Sequence, residues 1–305
     1  MSTAVVFAYH NVGVRCLSVL LAQGVRVPLV VTHADHSQET IWFGSVAQLA
    51  AEHDIPTLTP NDPNDPDFVA RVRAAAPDFL FSFYYRNMLQ APLLATARRG
   101  ALNMHGSLLP KYRGRVPVNW AVLHGETETG ASLHYMETKP DAGDLVDQQA
   151  VPILPDDTAA DVFHKVSCAA EIVLHRSLPG LIAGTAPRTP LDLHQGSYFG
   201  GRKAEDGRID WTQSAQAIHN LIRAVAPPYP GAFTTLAGKP LRILKSRLAP
   251  ARAPRSNTPM FYCDAAHCYA DCADGHVLTI LQAELDGAEI IPAAFDTSAI
   301  PLGGG

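Results

Sequence analysis

The sequence is short of charge and of cysteine, and both shortages exclude classes of protein. Charged residues make up only 17% of its 305 residues, while hydrophobic residues make up 47%. That balance lies outside the low-hydrophobicity, high-charge composition of disordered chains. Five cysteines are an odd number in a long chain and do not indicate a secreted disulfide framework. The composition predicts a folded protein with one large domain or two smaller ones.

Long apolar runs and targeting signals are also missing. No uninterrupted apolar run reaches the about 18 residues of a membrane span, and the first residues lack the basic region and cleavage site of a signal peptide. We therefore expect no membrane span and a cytoplasmic location. Cys263, Cys268 and Cys272 lie close together but lack the spacing of a zinc site, so we expect no metal.

Positive charge is scarce as well, since the formal net charge is -5. Residues 1–206 contain sixteen basic and twenty-one acidic residues, and the remainder contains eight of each. Nucleic-acid-binding domains usually carry a basic face, so we do not expect nucleic acid as a partner. One basic stretch runs from Lys239 to Arg255; we interpret it as a solvated strand and loop, with a phosphate contact as the alternative.

Apolar runs and helical patterns alternate along the first 83 residues. The predicted strands are 3–9, 27–32 and 79–83, and the predicted helices are around 16–21, at 45–52 and at 68–75. Such alternation predicts an α/β fold with a parallel sheet, helices on both faces, and ligands beyond the carboxyl ends of the strands. The first turn, YHNVGV, has a single glycine instead of GxGxxG, which disfavours a nicotinamide cofactor.

The second part of the chain changes character after a long amphipathic segment at 158–181. A stretch rich in glycine, proline and polar residues follows, and we assign 191–206 as a linker. Beyond it, a helix at 213–226 and short strands such as 241–244 and 276–282 predict a small β-barrel. The expected domains are therefore residues 1–190 and 207–305.

The residues that carry chemistry cluster at the end of the strand at 101–104. Asn103 and His105 are two positions apart, so in an extended segment their side chains lie on the same face. An amide can donate to a developing oxyanion, and an imidazole can accept a proton near neutral pH. Asp141, in a predicted turn, would be the carboxylate that orients the imidazole. A purely structural histidine at a strand end is the alternative.

Three cations follow this strand in a loop that contains glycine and proline. They are Lys111, Arg113 and Arg115. Cations in such a loop, next to a candidate base, are suited to hold a phosphorylated substrate.

The run NMHGSLLPKYRGRVPVNWAVLHGETETGASLHYM, followed by DAGD, closely resembles the formyltransferases that use 10-formyltetrahydrofolate. Members of that family act on methionyl-tRNA and on nucleotide-linked amino sugars. The similarity continues in VVFAYHNVGV, THAD, FGSVAQLAAEHDIP, FSFYYRNML and RAVAPPYPGAF, so it spans nearly the whole chain. These segments are most similar to the formyltransferase domain of the bifunctional polymyxin-resistance protein, which formylates UDP-4-amino-4-deoxy-L-arabinose for lipid A modification.

The resemblance implies a Rossmann-like catalytic domain that holds the folate, followed by a small OB-like β-barrel. It implies that Asn103, His105 and Asp141 are catalytic and that no metal takes part. The expected folate contacts are Arg86, Asn87, Met88, Arg115, Glu137, Thr138, Lys139, Pro140 and Asp141. The expected contacts to the sugar substrate are Tyr84, Tyr85, Ser107, Lys111 and Arg113, although an aromatic pair at a strand end often only packs.

Several alternatives stay open at this point. The acceptor is expected to be a nucleotide-linked amino sugar, and methionyl-tRNA or another UDP- or dTDP-amino sugar are the alternatives. A folate hydrolase would need the same three groups, whereas a binding regulator would be expected to lack at least one of them. The polymyxin-resistance protein also carries a decarboxylating dehydrogenase, so we expect association with a separate decarboxylase or dehydrogenase, or a homo-oligomer.

Overall fold

A computed structural model describes residues 1–35, 40–295 and 298–302 of the chain. They form two compact units. Unit 1 comprises Met1–Pro117, Glu128–Val151 and His164–Gly200, and unit 2 comprises Val118–Thr127, Pro152–Phe163 and Gly201–Gly305. The units therefore interleave along the chain, whereas the sequence suggests two continuous stretches. The domain limits at 190 and 207 stay a prediction.

The secondary structure alternates first and then becomes mainly strand. The α-helices are α1 (His10–Ala22), α2 (Val46–Glu52), α3 (Pro66–Ala74), α4 (Ala91–Leu94), α5 (Pro117–Leu123), α6 (Ala159–Ala183) and α7 (Ala215–Ala224). The strands are β1 (Thr3–Ala8), β2 (Arg26–Val31), β3 (Thr57–Leu58), β4 (Phe79–Phe83), β5 (Gly100–His105), β6 (Arg113–Gly114), β7 (Glu128–Tyr135), β8 (Leu145–Pro152), β9 (Tyr198–Phe199), β10 (Ala232–Leu236), β11 (Lys239–Leu248), β12 (Met260–Cys263), β13 (Cys268–Asp271), β14 (Val277–Leu285), β15 (Ala288–Glu289) and β16 (Ile300–Pro301).

Local sequence accounts for the starts of the early helices. The Ser45 side chain accepts a hydrogen bond from the backbone N–H of Gln48 and caps α2. Asp65 caps α3, whose first residue is Pro66. Short polar side chains at the cap satisfy backbone donors that the first turn leaves open, and proline at the first position has no donor to lose. These helices begin within two residues of their predicted positions.

Unit 1 is built on a sheet with the strand order β3-β2-β1-β4-β5-β7-β8. The pairs from β3 to β5 are parallel, as predicted. β7, however, runs antiparallel to β5, so the sheet is parallel from β3 to β5 and antiparallel at the β5–β7 pair. A parallel neighbour needs a crossover that returns the chain to the opposite end of the sheet. Here β7 enters at the end where β5 finishes, as the pairing of His105 with Ser132 shows.

Burial explains why this sheet needs helices on both faces. All six residues of β1 are buried, so neither face of the strand meets solvent. On one face, Val5 and Phe7 belong to an apolar cluster that includes Leu29, Val31 and Leu80. Strands covered on both sides have continuous apolar runs instead of alternating ones, which is the pattern that the sequence shows.

Helix α6 is long and apolar enough to cross a membrane when only length and composition are considered. The sequence of α6 does not form an uninterrupted apolar run, because charged residues such as Lys165 and Glu171 interrupt it. Val162, Val166 and Ala170 are buried and recur at helical spacing. A buried stripe of this kind is also the pattern of a core helix.

Unit 2 contains an antiparallel sheet in the order β10-β11-β14-β13-β12-β16, with β15 beside β14. It confirms the prediction of a small barrel-like β fold after the catalytic part. Its apolar core joins residues of α7, such as Ile218 and Ile222, to strand residues such as Ile243 and Phe261. The unexpected feature is a disulfide between Cys263 and Cys268, which are paired across β12 and β13.

Candidate active site

Strand β5 brings Asn103 and His105 to the carboxyl edge of the unit 1 sheet. Its parallel pairing with β4 places Asn103 beside Ser82, near the end of both strands. Asp141 lies in the connection from β7 to β8, and its φ of +50° is one that short polar side chains tolerate. The structure therefore brings together the three residues for which the sequence predicts a catalytic role.

Asp141 is the centre of this group. One carboxylate oxygen, Oδ1, lies 3.5 Å from Nδ1 of His105, and the other accepts a 2.8 Å hydrogen bond from the backbone N–H of Gly114. The side chain is only 11% exposed. Burial alone would raise its pKa, but the positive charge of His105 and the hydrogen bond from His134 when these rings are protonated, together with the Gly114 N–H, hold the pKa well below the ordinary aspartate value. Asp141 is therefore a carboxylate at neutral pH.

Glycine is the residue type that the hydrogen bond between position 114 and Asp141 requires. Its φ is +99°, and a Cβ atom on it would collide with the backbone carbonyl of Phe199 in the paired strand β9. Only glycine adopts such a conformation without a steric penalty. The sequence RGR thus provides a backbone N–H that donates to the Asp141 carboxylate, and the residue types alone do not reveal this contact.

The ring of His105 is buried, and a backbone carbonyl determines its orientation. Nε2 lies 2.8 Å from the carbonyl oxygen of Tyr112, and the residue is 6% exposed. A neutral ring that donates Nε2–H to this carbonyl presents Nδ1, its unprotonated nitrogen, on the side of Asp141. The sequence suggests that the carboxylate selects the tautomer, whereas in the structure the Tyr112 carbonyl is suited to do so and the carboxylate faces the proton-accepting nitrogen.

His134 is a fourth member that sequence reasoning missed. It lies opposite Asn103 in the pairing of β5 with β7, and it is 1% exposed. Nε2 lies 3.2 Å from Nδ2 of Asn103 and 3.5 Å from Oδ1 of Asp141, while Nδ1 lies 2.8 Å from the carbonyl oxygen of Tyr135. Its one signal in the sequence is its place inside the GASLHYM part of the motif; only the strand register connects it with Asn103.

The three cations of the following loop differ in exposure. Lys111 and Arg115 are exposed, whereas Arg113, in β6, is 8% exposed and its buried Nε has no hydrogen-bond partner among the described residues. Ser107 is fully buried, and its hydroxyl donates to the carbonyl oxygen of Lys111. Its contacts therefore hold the loop together.

The two tyrosines that follow β4, Tyr84 and Tyr85, also differ in their surroundings. Tyr84 has a φ of +58°, and its hydroxyl lies directly over Gly106, where a Cβ atom would collide with it. Tyr85 is 9% exposed and packs in the apolar cluster of unit 1, with its ring stacked on His33. Burial, and then the charge of Asp62, raises the pKa of Tyr85 to about 12. Tyr85 is therefore a packing residue in this structure, and Tyr84 lies next to the candidate catalytic strand.

The segments predicted to contact folate are open to solvent. Arg86, Asn87 and Met88 are exposed, as are Glu137, Thr138 and Lys139, with Pro140 partly exposed. The Arg86 guanidinium lies 4.6 Å from the centre of the Tyr9 ring, and its backbone N–H donates to Nε2 of His33. The first segment follows β4, which ends beside Met104 near the end of β5, whereas the second follows β7, which runs antiparallel to β5 and ends opposite Leu102.

The arrangement has the parts that an acyl or formyl transfer needs. Asn103 has a neutral amide donor, His105 has a nitrogen that can accept a proton, and Asp141 is a carboxylate that stabilises the protonated ring. Among residues 1–35, 40–295 and 298–302, no group of three or more histidine, cysteine or acidic side chains is placed to hold a metal ion.

Comparisons with protein families and solved structures agree with this architecture. Residues 18–178 match the family described as formyl transferase, and residues 202–296 match the formyl transferase C-terminal domain. Together the two matches cover most of the chain.

Three solved structures illustrate the likeness. An N-formyltransferase from Helicobacter canadensis, in complex with folinic acid and dTDP-3-aminofucose, has a TM-score of 0.72 and 21% identity, covering 92% of this chain and 99% of its own. WlaRD, a sugar 3N-formyl transferase with dTDP and 5-N-formyl-THF, has a TM-score of 0.72 and 20% identity over 93% and 98%. A 4-N formyltransferase from Francisella tularensis has a TM-score of 0.61 and 18% identity over 76% and 91%. At these identities the likeness is one of fold.

Proposed function

The chain belongs to the formyl transferase family, and we propose that it transfers the formyl group of 10-formyltetrahydrofolate to the amine of a nucleotide-linked amino sugar. The observation that carries this proposal is the group of Asn103, His105 and Asp141 at the end of β5. The Asn103 amide and the His105 imidazole each lie 3.5 Å from the Asp141 carboxylate, which supports a shared role for the three residues in formyl transfer.

The bonds and protons of this reaction are all accounted for by the two substrates and the side chains of the site, without a metal or a redox partner. The neutral amine attacks the formyl carbon, a new C–N bond forms, and the carbonyl oxygen becomes an oxyanion. Nδ2 of Asn103 donates one N–H to that oxyanion in exchange for its 3.5 Å contact with Asp141, while its other N–H stays on Nε2 of His134. The bond between the formyl carbon and N10 of the folate then breaks, and N10 takes up a proton as tetrahydrofolate leaves.

The proton lost by the amine goes to His105. Because Nε2 lies at hydrogen-bond distance from the Tyr112 carbonyl, Nδ1 is the nitrogen that accepts the proton. The resulting imidazolium lies beside the Asp141 carboxylate, which lowers the cost of its positive charge. His105 then returns the proton to N10, so the ring ends the cycle neutral.

Nucleotide sugars are favoured as acceptors by the motif and by the relatives. The structures of similar fold include one that holds dTDP-3-aminofucose and one described as a 4-N formyltransferase. The sequence motifs are most similar to those of the enzyme that formylates UDP-4-amino-4-deoxy-L-arabinose, and we propose this sugar as the preferred acceptor. Participation in lipid A modification and polymyxin resistance follows if that preference holds.

The basic stretch from Lys239 to Arg255 is the feature that favours methionyl-tRNA as a second candidate. Its contacts within unit 2 argue against a free phosphate-binding face. Arg252 lies 3.4 Å from the centre of the Tyr269 ring, and Arg255 lies 4.0 Å from that of Tyr262. Arg242 lies opposite Glu284 in the register of β11 with β14. Two of the six cations therefore lie against aromatic rings inside the unit, and a third has an acidic neighbour on the adjacent strand.

Mass spectrometry of the products separates the candidates. The protein is incubated with 10-formyltetrahydrofolate and a panel of UDP- and dTDP-amino sugars, with charged initiator tRNA in parallel. We expect formylation of one amino sugar, with UDP-4-amino-4-deoxy-L-arabinose as the best acceptor. Formylation of tRNA alone would favour the second candidate, and folate turnover with no formylated product would indicate a hydrolase.

A further inference from the structure

The carbonyl that orients His105 belongs to a residue with an unfavourable backbone conformation. Tyr112 has a φ of +55°, in the left-handed region that residues other than glycine rarely adopt. Its carbonyl oxygen lies 2.8 Å from Nε2 of His105. A residue held in this region costs free energy and persists only where its surroundings keep it there. The position of the Tyr112 carbonyl therefore depends on the contacts that hold Tyr112 in place.

Ser197, 85 positions later in the chain, makes two of these contacts. Its hydroxyl accepts a 2.9 Å hydrogen bond from the backbone N–H of Tyr112, and its carbonyl accepts a 3.0 Å bond from the backbone N–H of Arg113. The N–H of Arg113 belongs to the same peptide group as the carbonyl that faces His105, so this group is held at both ends. Ser197 thus fixes the peptide groups on both sides of Tyr112.

Strand β9, which begins directly after Ser197, packs against the same loop. It pairs with β6, and the Phe199 ring stacks on the Tyr112 ring with 5.4 Å between the ring centres. The Phe199 carbonyl also accepts a 2.9 Å hydrogen bond from the backbone N–H of Arg115. Both segments belong to unit 1. The contacts of Ser197 are therefore part of a continuous interface and not an isolated pair of hydrogen bonds.

We propose that Ser197 is a positioning residue for the transfer reaction. Through Tyr112 it holds the His105 ring with Nε2–H donated to the carbonyl, which leaves Nδ1 to accept the proton of the amine. This inference rests on the proposed function, because that function makes His105 the base. Ser197 lies in the stretch 191–206, whose composition predicts a linker. A segment with the composition of a linker thus carries a residue that acts on the candidate base.

A first pair of variants removes one hydroxyl acceptor each. Ser197→Ala takes away the acceptor of the Tyr112 N–H, while Ser197→Thr keeps a hydroxyl at the same position. Ser214→Ala is the control, because Ser214 also accepts from a backbone N–H, at the exposed start of α7 in unit 2. The two alanine variants therefore lose the same kind of hydrogen bond, and only Ser197→Ala loses it beside the candidate site.

A second pair displaces the whole segment. A Cβ atom on Gly196 would collide with the carbonyl oxygen of Pro110, so Gly196→Ala pushes the segment away from the loop that contains Tyr112. At Gly200 a Cβ atom would meet nothing within 4 Å, and Gly200→Ala is the control. Neither glycine has a φ in the left-handed region, so the collision is the difference between these two variants.

The first measurement follows the His105 ring itself, without turnover. In the whole chain grown with isotope-labelled histidine, NMR distinguishes a ring nitrogen that carries a proton from one that does not, and His105→Ala identifies the signals of this ring. We expect the neutral ring to carry its proton on Nε2 in the unmodified protein, in Ser197→Thr and in both controls. In Ser197→Ala and Gly196→Ala we expect a mixture of the two tautomers, because the Tyr112 carbonyl is no longer held.

The second measurement is the rate of formyl transfer. We expect kcat to fall about fivefold in Ser197→Ala, the effect of one hydrogen bond, and at least about tenfold in Gly196→Ala. The KM of each substrate should change less than about twofold, because the change acts on the base and not on binding. Ser197→Thr should restore most of the rate, and the two controls should equal the unmodified protein.

Three results would overturn the proposal. One is a His105 ring that keeps its proton on Nε2 in both Ser197→Ala and Gly196→Ala. Another is a raised KM with unchanged kcat, and the third is an equal loss of kcat in Ser197→Ala and Ser214→Ala, which would indicate a general effect on stability. If the unmodified protein formylates no amino sugar, the proposed function fails, and the NMR result still decides whether Ser197 holds the His105 ring.

Discussion

Nε2 of His134 lies 3.2 Å from Nδ2 of Asn103, across the antiparallel pairing of β5 with β7. The same histidine nitrogen lies 3.5 Å from Asp141, so one buried ring contacts both the amide and the carboxylate of the candidate site. Because His134 contacts Asn103 and Asp141 and neither the formyl donor nor its acceptor, we assign it a positioning role: with Nδ1–H donated to the Tyr135 carbonyl, Nε2 accepts from Asn103 and orients its amide.

Replacing His134 should slow the reaction without weakening folate binding. We expect His134→Ala to lower kcat about tenfold, which corresponds to about 1.4 kcal/mol for one hydrogen bond. The KM for the folate should stay the same, and the pH profile of kcat should change, since the contacts of Asp141 change. His134→Gln, which keeps a donor and an acceptor, should restore part of the rate. A KM effect with unchanged kcat would contradict the positioning role.

Most of the rate enhancement should depend on Asn103 and His105. Loss of an oxyanion donor in Asn103→Ala should lower kcat by about 100-fold or more, and His105→Ala should be at least as damaging. The exposed His53, at the end of α2, provides a matched control in His53→Ala. A His105→Ala enzyme that retained more than about a tenth of the unmodified kcat would rule out the assignment of the base.

Acidification should destabilise the protein through Asp141. Burial alone would raise the pKa of Asp141, but the histidines and the Gly114 N–H lower it below its unfolded value of about 3.9. A lowered pKa stabilises the fold above the unfolded value, and this contribution is lost as the pH falls through the folded pKa. In urea unfolding between pH 7 and pH 3, Asp141→Asn should therefore lose less stability than the unmodified protein. Asp67→Asn, at an exposed position, should follow the unmodified curve.

Gly114→Ala should affect both stability and activity. A Cβ atom at a φ of +99° would collide with the Phe199 carbonyl, and the backbone shift would withdraw the hydrogen bond to Asp141. Gly24→Ala is the control, because Gly24 also has a positive φ but a Cβ atom there would meet nothing within 4 Å. We expect about 1 kcal/mol of destabilisation for Gly24→Ala and more for Gly114→Ala, which alone should lose activity. Equal effects in thermal unfolding and in turnover would contradict this.

Much of the fold was predictable because its signals are local. The buried run at Phe79–Phe83 needs no distant contact to be recognised as a strand, and Ser45 and Asp65 begin their helices by hydrogen bonds within the same turn. Asn103 and His105 lie on one short strand, so their spacing alone places them together.

The remaining features depend on chain segments that are far apart in sequence. His134 reaches Asn103 only because β7 pairs antiparallel with β5, and the Gly114 N–H reaches Asp141 only because β6 pairs with β9. The Cys263–Cys268 disulfide follows from cross-strand register, which cysteine count does not reveal. The sequence determined which residues are able to do chemistry and which strands carry them. The tertiary structure decided their partners, because hydrogen bonds and burial between distant segments exist only once the sheet has formed.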